Sequence, residues 1–184
     1  MCIRDRVRLP SVGPAHRTQL QQWLIWWEAE LGLRAPHLDA ALRQACRAQL
    51  AAGDELAGHT VSALQREVGR ALERLRVPYV SELVTSEGYS VDLAMPERRV
   101  ALEVDGPHHF AHDGTPTGAT RLKQRQLRAT GWRPVNVSHT EWYALRRQPE
   151  REAALLEHKL AAADDPRWWT RPPSADDAVP PHAR

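Results

Sequence analysis

Val100-Ala-Leu-Glu-Val-Asp-Gly-Pro-His-His-Phe110 is the stretch on which the reading of this chain turns. Val100, Leu102 and Val104 alternate with Ala101, Glu103 and Asp105. A period of two puts alternate side chains on opposite faces of a β-strand. Gly106-Pro107 ends the strand. Just upstream, Ser90-Val-Asp-Leu-Ala94 alternates in the same way, with Val91 and Leu93 on one face and Asp92 on the other. Pro96-Glu97-Arg98 reads as the turn between them. Pairing through that turn brings Asp92, Glu103 and Asp105 to one face of a hairpin.

Tyr79–Val84 is a further strand by its residue types. After the hairpin comes a loop, His108–Gly118, carrying His108, His109 and His112. Thr120 is placed to cap a helix running to Thr130, with Gly131 at its C-cap. Pro134–Val137 is a short strand. Ser138 and Glu141 form a capping-box pair for a helix carrying Trp142 and Leu145. Upstream, three helical patterns cover Thr18–Leu31, Leu38–Ala51 and Thr60–Leu75, with Ser62 and Gln65 spaced as a capping box and Gly53 and Gly58 in the last connecting loop. The organisation expected is a helical segment over 18–75, an α/β module over 79–145, a helix over 150–163 and a disordered tail over 164–184. The helical segment reads either as the end of a repeat array or as a packing partner for the α/β module. Trp168-Trp169 stands out in the tail as an anchor that could dock.

The 184 residues are 42% hydrophobic, enough for one domain of ordinary size. No run of 18 apolar residues occurs, so no membrane-spanning helix is expected. The net charge of +2 is too small to argue for nucleic acid, so local distribution has to. Two cysteines, Cys2 and Cys46, exclude a disulfide framework and a four-thiolate zinc site, and fit a reducing compartment. Asn136-Val137-Ser138 matches a glycosylation sequon by chance. Met1-Cys-Ile-Arg-Asp-Arg6 resembles the translation of a transposase sequencing adaptor, on which reading the chain is a fragment whose start lies upstream; the other reading is a natural basic N-terminus.

Three carboxylates on one strand pair are unfavourable unless a positive charge sits between them. Mg²⁺ held by Asp92 and Glu103 would supply it, as would a lysine or arginine. The bland reading is an acidic sheet edge paired with arginines. From Arg121 to Arg133 the chain has five basic residues and no acidic one. Arg121, Arg125 and Arg128 fall on one helical stripe that can grip phosphates, with Lys123 and Arg133 as further RNA-binding candidates. Lys123 points towards the side that holds Leu122 and Leu127, and so towards the sheet. Tyr89 and Trp132 offer stacking surfaces for bases, or else pack in the core.

Ser90-Val-Asp-Leu-Ala94, Val100 to Phe110, Gly118-Ala-Thr-Arg-Leu-Lys-Gln-Arg-Gln-Leu127, Gly131-Trp132 and Glu141-Trp142 together resemble the RAP domain, in order and spacing. That resemblance implies a C-terminal module of organellar RNA-processing, stability or translation factors, mitochondrial or chloroplast, often preceded by helical repeats. It also implies an α/β, restriction-endonuclease-like fold of the very-short-patch-repair kind: a small mixed sheet flanked by helices, here preceded by an α-helical segment. That fold carries an Asp on one strand and Glu-x-Lys on the next. Asp92 matches the Asp and Glu103 the Glu, but Asp105 stands at the Lys position. Lys123 could substitute from the helix and His109 could act as general acid or base. The reading favoured is therefore an RNA-binding protein with at most vestigial or weak Mg²⁺-dependent cleavage. A metal-dependent endonuclease acting on RNA or DNA through Asp92, Glu103, Asp105, His109 and Lys123 is the first alternative. A protein-interaction module, using the N-terminal helices or Trp168-Trp169, is the second.

Overall fold

A computed structural model of the chain describes residues 13–35, 38–55 and 62–164. Helix α1 (Pro14–Ile25) continues into a π-helical turn, Trp26–Glu30. Helices α2 (Ala40–Glu55) and α3 (Ala63–Arg74) follow. Strands β1 (Val80–Val84), β2 (Ser90–Met95) and β3 (Val100–Asp105) form an antiparallel meander. Helix α4 (Gly118–Ala129) then crosses to β4 (Arg133–Ser138), which lies parallel to β3. Helices α5 (His139–Leu145) and α6 (Pro149–Asp164) complete the described chain. The sheet order is β1-β2-β3-β4, a mixed α/β sheet flanked by helices as expected. Among the described residues no helix is long and apolar enough to cross a membrane.

Each face of the sheet has its own core. On one side Leu93, Met95, Leu102, Val104 and Val137 pack against Val68 and Leu72 of α3, Trp142 of α5 and Leu156 of α6. On the other, Val91, Ala94 and Ala101 meet Ile25, Leu50, Leu127 and Trp132. Burying each such Val, Leu or Ile side chain contributes roughly 1.5–3 kcal/mol. The N-terminal helices are thus a packing partner of the α/β module. Polar bonds tie them down: Gln21 Nε2 donates to the Glu87 carbonyl (2.9 Å) and Gln126 Nε2 to that of Gln22 (2.6 Å).

Several sequence expectations need correction. All six β3 residues are buried, Glu103 and Asp105 included, because helices cover both faces. Val91 and Leu93 do not share a face: Val91 lies in the second core and Leu93 in the first. The strand phase breaks between them. The β1–β2 ladder passes over Glu82 and Asp92, Glu82 has φ 53°, and the Asp92 carbonyl accepts from Gln65 Nε2 (3.1 Å) and Ser81 Oγ (3.4 Å). Thr117, not Thr120, caps α4. Thr120 is buried and its hydroxyl donates to the His109 carbonyl (3.2 Å), pinning the loop to the helix. Gln65 supplies half a capping box: its backbone N–H donates to Ser62 Oγ, while its side chain goes to Glu82 and Asp92. Gly53 lies within α2. The Ser138–Glu141 capping box is complete, and Gly131 takes φ 85° at the end of α4. Residues 1–6, Gly58, Trp168-Trp169 and the tail beyond Asp164 lie outside the described residues.

Candidate functional site: a buried carboxylate–lysine centre

The hairpin register sets Asp92 beside Glu103, and α4 lies over that side of the sheet. Asp92 Oδ2 accepts from the Val104 backbone N–H at 2.7 Å, so its carboxylate stitches β2 to β3 where their regular pairing ends. Glu103 Oε2 receives the Lys123 ammonium at 2.8 Å. Asp105 Oδ2 accepts from Asn136 Nδ2 at 2.6 Å, and Asp105 Oδ1 lies 3.5 Å from His109 Nδ1. Asn136 sits level with Glu103 in the parallel β3–β4 register. The His139 ring nitrogen Nδ1 is 3.3 Å from the Asp105 carbonyl oxygen.

Burial dominates the electrostatics. It pushes the carboxyls of Asp92, Glu103 and Asp105 above their ordinary ranges. Lys123 pulls all three back, while Asp92 and Asp105 raise Glu103, Glu82 and Asp105 raise Asp92, and Glu141 raises Asp105. For Glu103, 5% exposed, burial wins and the pKa reaches about 8. The 2.8 Å contact to Lys123 favours the ionised form, yet one ammonium does not offset loss of water around a fully enclosed carboxylate. Glu103 Oε1 is buried without a hydrogen-bond partner. That leaves an unsatisfied acceptor, or a protonated donor, in a buried site near neutral pH.

Asp92, Glu103, Asp105, His109 and Lys123 therefore lie together at this end of the sheet. His108 stacks beside His109, with ring centroids 4.2 Å apart, and His112 is exposed on the loop. The basic stripe is more divided. Arg121 is exposed. Arg125 Nε pairs with Glu30 Oε1 of the π-helical turn at 3.1 Å. Arg128 is half-buried. Arg133 Nη1 pairs with Asp164 Oδ1 at 3.3 Å, at the far end of β4 from Asn136. Tyr89 and Trp132, offered as stacking surfaces, are both buried in the second core, and Tyr89 Oη donates to Gln126 Oε1 at 2.7 Å. They stack no base. Sequence reasoning passed over Asn136, whose alternation on β4 was the available signal. It also passed over His139 and Tyr143, one turn apart on α5, and Arg146 just beyond its end.

Among the described residues no three His, Cys, Asp or Glu side chains are grouped to hold a metal ion. Mg²⁺ needs as few as one or two protein carboxylates, with water and phosphate oxygens completing its shell. Asp92 and the unpartnered Glu103 Oε1 are the groups that would meet it.

Residues 102–158 match the family model of the RAP domain. A curated relative, the RAP domain-containing protein, chloroplastic, of Oryza sativa subsp. japonica, is 38% identical over 116 residues, covering 61% of this chain and 18% of that protein. The chain thus spans less than a fifth of that relative's length. Among solved structures, the homing endonuclease I-Bth0305I catalytic domain is similar with a TM-score of 0.44 and 16% identity, over 56% of this chain and 98% of that domain.

Proposed function

We propose that this chain is an RNA-binding module of an organellar RNA-processing, stability or translation factor. The RAP domain match carries the reading, through what that resemblance implies. The name of the rice relative favours the chloroplast over the mitochondrion as the compartment. Site geometry supports holding RNA more than cutting it. Each carboxylate already has an internal partner: Asp92 a backbone N–H, Glu103 a lysine, Asp105 an asparagine. The test is fluorescence anisotropy of the 184-residue chain with single-stranded RNA at several salt concentrations. Binding that weakens steeply with salt is expected; no binding at low salt overturns the reading.

The second reading, a metal-dependent endonuclease, draws on one observation. Lys123 reaches Glu103 from α4 and restores a cation that the strand itself lacks at Asp105. In that reading Asp92 and Glu103 hold Mg²⁺, which would polarise a phosphoryl oxygen. Lys123 then orients Glu103, and His109, set by Asp105, moves the proton.

A further inference from the structure

A cleft of about 250 Å³ opens between α3, α5 and the start of α6, away from the α4 stripe. Its lining is Glu67, Arg70, Arg74, Arg146, Arg147 and Glu152. Two of the four arginines are neutralised: Arg74 pairs with Glu152 at 2.7 Å and Arg146 with Glu67 at 2.8 Å. Among the described residues the guanidinium groups of Arg70 and Arg147 have no such partner. Both residues are exposed, so the cleft carries an excess of two positive charges. Arg147 is held there in the left-handed region at φ 67°, which a non-glycine residue seldom adopts, and its backbone N–H is fixed by Glu152 Oε1 at 3.1 Å.

The cleft does not stand alone. The Arg146 guanidinium also lies over the Tyr143 ring, 5.3 Å from its centroid. Tyr143 is 49% exposed and meets His139 edge-on at 6.4 Å. His139 in turn lies 5.8 Å from Phe110 and touches the Asp105 carbonyl. A chain of π-faces therefore runs from the buried carboxylate centre, along one side of α5, to a pair of open arginines. Aromatic faces alternating with guanidinium groups are the chemistry that grips unpaired bases and the phosphates between them.

We propose that this strip is a single-stranded RNA track, with a base stacked on Tyr143 and a phosphate held by Arg70 and Arg147. The assignment deepens the RNA-binding reading and rests on it. It places the main grip on α3 and at the end of α5, away from α4.

The probe is a fluorescent oligouridylate of about ten nucleotides, within the usual span of a single-strand site, titrated with the full chain across a salt series. Replacing Arg70 and Arg147 with Gln together should lower the slope of log K against log salt by about 0.7, the amount for one single-strand phosphate no longer neutralised. Tyr143→Ala should weaken binding between about 5-fold and about 150-fold, while Tyr143→Phe keeps the π-face and should bind as wild type. An RNA duplex, whose bases are already stacked, should be indifferent to Tyr143→Ala. If the wild type binds the oligouridylate and these variants match it in affinity and slope, the track is wrong and the RNA reading stands. If the wild type binds no single strand, both fall. Poly-glutamate binding as tightly as the RNA, and equally insensitive to Tyr143, would make the cleft a general acidic-ligand surface and overturn the assignment.

Discussion

Lys123 Nζ lies 2.8 Å from Glu103 Oε2, joining a helix to the buried central strand across 20 residues of sequence. The chain has Asp105 where the nuclease pattern has its strand lysine. The cation arrives from α4 instead, because Lys123 shares the sheet-facing side of that helix with buried Leu127.

Removing the ammonium leaves Glu103 alone in a dry site. Lys123→Met should cost about 3–5 kcal/mol where Glu103 is ionised. Below a pH of about 8 the carboxyl can keep its proton, and the loss should fall towards the low end. Glu103→Gln should cost less, roughly 1–3 kcal/mol, because Asp92 and Asp105 remain near the ammonium. The double variant should lose less than the sum, by about 0.5–3 kcal/mol. Chemical denaturation of all four proteins reads the coupling, and strict additivity would mean that the pair does not interact.

Stability should also fall as pH rises. Folded Glu103 holds its proton up to about 8, whereas the unfolded chain releases it near 4.5. Between those values the native state binds more protons, so raising the pH favours unfolding. The stabilisation is complete below 4.5 and lost above about 8. Asp92 and Asp105, also raised, act with the same sign. The slope contributed by Glu103 is at most about 1.4 kcal/mol per pH unit. Glu103→Gln should flatten the fall in melting temperature across this window. Equal slopes in the two proteins would show that Glu103 titrates normally.

Alternation located β2 and β3 and gave the right faces along β3, because a strand's period is intrinsic to its backbone. It misplaced Val91, since the phase break at Asp92 depends on Gln65 of α3, far away in sequence. Lys123 was legible for the same reason as β3: helix periodicity assigns it a side. Tyr89 and Trp132 were not, because an aromatic suits a core and a stacking surface equally and only α1 and α2, folded over them, decide. The fates of Arg125 and Arg133 were hidden likewise. Their partners, Glu30 and Asp164, lie on other elements.

The turn before β2 is a tight fit. A Cβ on Gly88 would lie 2.6 Å from the Arg47 carbonyl oxygen of α2, and Gly88 has φ 100°. Gly88→Ala should therefore combine an overpacking cost of about 1–3 kcal/mol with a left-handed cost of about 1–2 kcal/mol. Gly69→Ala is the contrast. Its Cβ would meet the Tyr79 hydroxyl at 2.7 Å, the tip of a side chain rather than backbone, while alanine favours a helix by about 1 kcal/mol over glycine. Thermal denaturation should show a large loss for Gly88→Ala and little change for Gly69→Ala. The reverse order would mean that α2 does not seat on this turn.

Cleavage is the sharpest division between the two functional readings. Purified protein with Mg²⁺ and single-stranded RNA is expected to show no Glu103-dependent turnover. Asp92 is committed to the Val104 N–H and Asp105 to Asn136, so a metal at either carboxylate would compete with bonds the fold already makes. The nuclease reading expects something different. With Lys123 beside Glu103, cleavage should be present, abolished by Glu103→Gln, and reduced by Lys123→Met on the order of 100- to 1000-fold, the scale for losing one donor that stabilises transition-state charge. Asp92→Asn should remove it as well, since that carboxylate would share the metal. Cleavage with this pattern across the three variants would overturn the binding-only reading. Cleavage indifferent to all three would belong to a contaminant. Absence of cleavage, with salt-dependent RNA binding retained in Glu103→Gln, is the outcome expected of a centre kept for architecture and RNA contact.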